Sequence, residues 1–141
     1  VNGREIECAV LGNDNPDASI VGEIIPFNEF YDYDAKYSND SASQIIIPAD
    51  LPHETREKIR EYSIRAFKSL DLAGLSRVDF FVHKETGEIF INEVNTMPGF
   101  TKISMYPKLW EATGLLYAKL LEKLIDLAIE RHNGKQRKNK L

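Results

Sequence analysis

Residues 76–104 read SRVDFFVHKETGEIFINEVNTMPGFTKIS, and the fold turns on them. Two runs rich in β-branched and aromatic residues flank the turn signal Lys84-Glu85-Thr86-Gly87-Glu88, which is a hairpin pattern. A loop centred on Thr86 sets Asp79 opposite Glu93 and Arg77 opposite Asn95. Side chains alternate along a strand, so these four share one face, while Val78, Phe80, Val82, Phe90 and Val94 take the other. A slip of one residue would instead set Asp79 against an apolar or neutral partner.

Like charges directly opposite each other weaken a sheet unless a cation lies between them. Asp79, Glu93 and Asn95 offer only oxygen donors of the kind that suits a hard ion such as Mg²⁺ or Mn²⁺, with positions left for water and phosphate oxygens. A solvated strand face on which Arg77 pairs with Asp79 accounts for the same residues. Beyond the second strand, Asn95-Thr96-Met97-Pro98-Gly99-Phe100-Thr101 is a sharp turn punctuated by Pro98-Gly99. Gly99 could bring a backbone N–H close to a substrate oxygen, or simply complete a Pro-Gly turn.

The 141 residues are one domain's worth of chain, long enough to bury a core. A net charge of −4 gives no general attraction to nucleic acid or to a membrane surface. The single cysteine, Cys8, rules out an internal disulfide and sits in an apolar run, as a small buried hydrophobe would. There is no signal peptide and no bilayer-length apolar run, so a cytoplasmic protein is the default expectation.

Working outward from the hairpin, Glu5 to Gly12 and Ser19 to Phe27 read as two strands joined by the turn formers Asn13 to Asp17. Glu29 to Asp40 carries several aromatics, acids and Lys36 without a clean period, and reads as a structured loop. In it Lys36 could set a point charge on a phosphate, or be solvated. Gln44 to Pro48 is a short strand. A helix follows from Leu51 to about Leu70, with Ile59, Tyr62, Ser63, Ala66, Phe67 and Leu70 on its apolar side. After the hairpin come a short helix from Met105 to Ala112, broken at Gly114, and a long one from Leu115 to His132. Leu116, Leu120, Leu124, Leu127 and Ala128 belong to the apolar set of the long helix, and Asn133-Gly134 is its expected stop. The division is a domain over 1–132 and a basic, disordered tail over 133–141. The fold class is α+β, an antiparallel sheet covered by helices.

"FYDYDAKY", "SRVDFFV", "INEVNTMPGFT" and the nearby "KIS" together resemble the C-terminal part of D-alanine–D-alanine ligases, members of the ATP-grasp superfamily. The resemblance covers essentially the whole chain. An acid-Val-Asn triplet before Thr-x-Pro-Gly, with Arg-x-Asp one strand earlier, is far more specific than any one piece.

The resemblance implies a C-terminal ATP-grasp subdomain and an activity. ATP would phosphorylate the carboxylate of one D-alanine, and the amine of a second would attack the acyl phosphate to form the dipeptide for peptidoglycan synthesis. By similarity, Asp79, Glu93 and Asn95 hold two Mg²⁺ ions, Glu93 being shared. Arg77 and the Gly99 N–H stabilise the transferring phosphate and the tetrahedral oxyanion. Lys36 contacts the terminal phosphate of ATP, Tyr37 lies near the reacting amino acids, Ser104 holds the second substrate's carboxylate, and Glu5 lies near the ATP ribose. The loop Tyr31 to Tyr37 resembles the dipeptide-forming type, which favours D-alanine as second substrate and leaves D-serine open. The chain matches only the last part of the family pattern. It lacks the N-terminal and central parts that help hold D-alanine and ATP, so the isolated chain is expected to be inactive and to expose an apolar patch. The family also includes homodimers. The competing expectations are another ATP-grasp carboxylate-amine ligase, or a non-catalytic nucleotide- and Mg²⁺-binding module.

Overall fold

The computed structural model describes residues 2–26 and 43–138. The elements are β1 (Gly3–Gly12), β2 (Asp17–Ile25), β3 (Gln44–Ile46), α1 (His53–Ser69), β4 (Gly74–His83), β5 (Ile89–Asn95), α2 (Met105–Thr113) and α3 (Tyr117–Lys138). The strands form one sheet in the order β3-β2-β1-β4-β5, with every neighbouring pair antiparallel. This is the α+β architecture expected from the sequence. The expected loop at Tyr31 to Tyr37, with Lys36 and Tyr37, lies outside the described residues.

β1 is central because it pairs on both sides. It forms the expected hairpin with β2, and it pairs with β4 without interruption from Gly3↔His83 to Gly12↔Gly74. The second pairing is non-local, since β2, β3 and α1 intervene in the chain. Alternation then decides what each face carries. Ile6, Cys8 and Val10 of β1 and Val78, Phe80 and Val82 of β4 pack with Ile59 and Phe67 of α1 in one core. Ala9 and Leu11 face the other way, against Met105, Tyr106, Leu109 and Trp110 of α2 and Leu120 of α3. The Tyr106 hydroxyl donates to the Val10 carbonyl at 2.9 Å, so its burial leaves no orphaned donor. Cys8 is fully buried, as its apolar neighbours suggested.

The β4–β5 hairpin holds the expected pairs, Arg77↔Asn95 and Asp79↔Glu93, but reaches them by another route. Close to the turn the pairs are Val82↔Ile89, Phe81↔Phe90 and Phe80↔Ile91, so the loop is centred between Glu85 and Thr86 rather than on Thr86. The His83 N–H donates to the Glu88 carbonyl at 2.9 Å, and the Gly87 N–H to the His83 carbonyl at 3.0 Å. A β-bulge then leaves Asn92 without a partner and restores the register at the acids. Between the turn and the extra residue, three side chains, Ile89, Phe90 and Ile91, lie on the faces opposite those expected. Ile89 packs against the α1 core, and Phe90 pairs with Phe81 on the side of Asp79, which corrects the expectation for Phe90.

Two further boundaries, those of α1 and α3, differ from expectation. α1 ends at Ser69, and Leu70 is exposed rather than part of the apolar side. α2 is closed by Gly114, as expected, and its φ of +105° lies in the left-handed region. α3 starts at Tyr117, which leaves Leu116 exposed, and runs through Asn133-Gly134 to Lys138. One glycine costs a helix only about 1 kcal/mol, less than a continuing helix can absorb, so the expected stop is not used. The Asn13 side-chain amide donates to the Leu127 carbonyl and to Glu130 Oε2, both at 2.9 Å, and ties α3 to the β1–β2 turn. Apolar side chains are exposed on α3 at Leu121, Ile125 and Ile129, and on β5 at Phe90 and Ile91. Among the described residues, no helix is long and apolar enough to cross a membrane.

Candidate functional site

α2 and α3 pack on one face of the sheet against Ala9 and Leu11 of β1, with Ile24 of β2 and Ile45 of β3 beside them. The same face also carries Glu5 and Glu7 from β1, Arg77 and Asp79 from β4, and Glu93 and Asn95 from β5. Strand pairing lines them up in rows: Glu7, Asp79 and Glu93 are lateral neighbours, Arg77 and Asn95 sit in the next row, and Glu5 lies opposite Phe81. Paired residues on one face have Cβ atoms about 5 Å apart, so three carboxylates crowd together here.

One guanidinium holds this row. Arg77 Nε donates to Asp79 Oδ1 and Nη2 to Asp79 Oδ2, each at 2.7 Å, a two-pronged charge-assisted pair. Nε also lies 3.0 Å from Glu7 Oε2. The Asn95 amide donates to Glu93 Oε1 at 2.8 Å and more weakly to Asp79 Oδ2 at 3.3 Å. The structure therefore brings together Arg77, Asp79, Glu93 and Asn95, the set singled out from the sequence.

Glu7 is the member that sequence reasoning missed. It is 6% exposed. Burial first, and then the charge of Asp79, push its carboxyl up to about 7, against the pull of Arg77. The signal was present in the Glu5-Ile6-Glu7 alternation, which puts Glu7 on the same face as Glu5. The missing link was the pairing of β1 with β4.

The donors fit a hard divalent ion, being two carboxylates and an amide from adjacent strands. No three His, Cys, Asp or Glu side chains among the described residues converge tightly enough to enclose a metal alone. A cation here would therefore need Asn95 and oxygens of water or phosphate to complete its shell.

Of the other expected residues, the described ones lie in two places. Gly99 and Ser104 share the loop after β5. Ser104 caps the start of α2, and its hydroxyl accepts the Thr101 N–H at 3.0 Å and lies 2.9 Å from the Thr101 hydroxyl. A Cβ on Gly99 would stand 3.1 Å from Ser104 Oγ, so the residue's smallness lets the loop fold onto that serine. Phe100 anchors the loop against Tyr106 and Tyr117, with ring centres 5.7 Å apart in each case. Glu5 lines a cleft of about 260 Å³ with Gly3, Glu23, Ile25 and Lys84, whose wall carries the Arg4–Glu23 ion pair at 2.6 Å.

A family model described as D-ala D-ala ligase C-terminus matches residues 1–126. The D-alanine–D-alanine ligase of Ruminiclostridium cellulolyticum is 68% identical over 138 residues, which are 97% of this chain and 37% of that protein. Among solved structures, the D-alanine–D-alanine ligase from Coxiella burnetii superposes with a TM-score of 0.86 at 44% identity, over 99% of this chain and 36% of that one. The Bacillus anthracis D-alanine–D-alanine ligase complexed with ATP gives a TM-score of 0.73 at 32% identity, over 96% and 42%. The chain thus spans less than half the length of these relatives. With its sheet, its helices and its sequence all matching that one region, the chain belongs to the D-alanine–D-alanine ligase family and corresponds to its C-terminal part.

Proposed function

We propose that this chain carries the metal- and phosphate-handling half of an ATP-dependent ligase that joins two D-alanine molecules for peptidoglycan synthesis in the cytoplasm. The observation that supports this most is the pair of adjacent rows, with Asp79 opposite Glu93 and Arg77 opposite Asn95. The complete enzyme would add the N-terminal and central parts that its relatives have beyond this region, and would assemble as a homodimer.

In this reading Asp79, Glu93 and Asn95 would hold two Mg²⁺ ions. When bound, these ions neutralise charge on the phosphates of ATP. Lys36 adds a positive charge at the terminal phosphate, and Glu5 in its cleft takes the ribose hydroxyls. The γ-phosphoryl group passes to a carboxylate oxygen of the first D-alanine as ADP leaves. The amine of the second D-alanine then attacks the acyl carbon, a proton leaves the nitrogen, and phosphate departs. Arg77 and the Gly99 N–H supply fixed donors to the oxyanion of the tetrahedral intermediate. Ser104 orients the second substrate's carboxylate, and Tyr37 borders the reacting atoms.

Calorimetric titration of Mg²⁺–ADP into this chain tests the reading, with Asp79→Asn plus Glu93→Gln as control. Binding that disappears in the double variant supports it. Absence of binding, or binding that survives in the control, would overturn the assignment of a metal and phosphate half-site to these residues.

A further inference from the structure

Glu7 has no task in the mechanism above, yet it is a buried carboxylate beside the catalytic arginine. Its Oε2 lies 3.0 Å from Arg77 Nε and makes no hydrogen bond. The reason is stoichiometric. Nε carries one hydrogen, and that hydrogen points to Asp79 Oδ1 at 2.7 Å. The second Asp79 oxygen is taken by Nη2. Two carboxylates on neighbouring strands therefore compete for the Nε–H of one guanidinium, and Asp79 holds it.

A cation at Asp79 changes that competition. An oxygen that coordinates the ion can no longer serve Arg77 fully, and the half-buried guanidinium then needs another acceptor. Glu7 is already in contact, and its carboxylate faces the same Nε. We propose that Glu7 is a positioning residue that takes over Arg77 when Asp79 turns to the cation, so that the ion and the guanidinium can occupy the site together. This rests on the assignment of Asp79 as a metal ligand under the proposed function.

The exchange has a signature distinct from simple charge attraction. In Glu7→Gln the cation has to break the Arg77–Asp79 pair with no waiting carboxylate, so its affinity falls. In Arg77→Ala there is no guanidinium to move, so Glu7→Gln should then matter little. A carboxylate that acted on the cation directly, as a ligand or through its field, would matter in both backgrounds.

Mn²⁺ alone is titrated into the 141-residue chain as wild type, Glu7→Gln, Arg77→Ala and the double variant, with free Mn²⁺ read by electron paramagnetic resonance. Glutamine keeps the size of Glu7, and thermal melts check that every variant is folded. The expected result is affinity about tenfold weaker in Glu7→Gln, and a change of less than about twofold between Arg77→Ala and the double variant. An equal loss in both backgrounds, or no loss in Glu7→Gln, would overturn the exchange and leave the cation site standing. No Mn²⁺ binding by the wild type would overturn the cation site itself, and the exchange with it.

Discussion

Replacing Glu7 by glutamine should change how stability depends on pH, even with no divalent ion present. The groups facing Glu7 are Asp79 and Arg77 on β4, Glu93 on β5 and Glu5 on its own strand. Burial and the neighbouring acids outweigh Arg77 and move the carboxyl from 4.5 to about 7. The folded carboxyl thus binds its proton more tightly than the unfolded one does. Its favourable contribution is fully present below the unfolded value of 4.5 and is lost as pH rises through about 7. At 1.36 kcal/mol per pKa unit, the loss is at most about 3 kcal/mol. Glutamine does not titrate, so wild type should lose up to that amount relative to Glu7→Gln across this window. Urea unfolding of both proteins in a chelator, at a series of pH values, measures the difference. A difference that stays flat, or moves in favour of wild type as pH rises, would show that the Arg77 pairing outweighs burial and would refute the reasoning.

Two more predictions concern the α1 side of the sheet. Phe67→Ala empties a fully buried site between α1 and the strands and should cost about 3–5 kcal/mol in urea unfolding; a cost under about 1 kcal/mol would mean the core there is not closed. Cys8 is buried with its thiol pushed up to about 11, so a thiol reagent should label it only at the rate at which the chain opens, whereas rapid labelling of the native protein would contradict its placement.

Much of this was legible in local pattern. Strand alternation and a turn signal led to Asp79 against Glu93 and Arg77 against Asn95, the pairs that the hairpin holds. The bulge at Asn92 was not legible, because nothing in the two runs marks an extra residue. The expected register proved right at the acids through two compensating differences, a shifted loop centre and the bulge, and proved wrong at Phe90, where nothing compensates. Glu7 was hidden for another reason. Its membership depends on β1 lying beside β4, a contact between segments far apart in the chain, which periodicity does not report. The continuation of α3 through Gly134 shows tertiary and cooperative stability overriding a local stop signal.

The Asn92 bulge has a further consequence. Among the described residues β5 is the outermost strand on its side of the sheet, and it exposes Phe90 and Ile91 there. A rim strand with free backbone groups and apolar side chains invites a foreign strand to add to it. An added strand would need an even ladder of hydrogen-bonding positions, and the bulge breaks that spacing just beyond Ile91. The charged Glu93 follows immediately. The irregularity that aligns the acids thus also blunts the rim against aggregation, and a chain lacking it would be expected to stack more readily on its own copies.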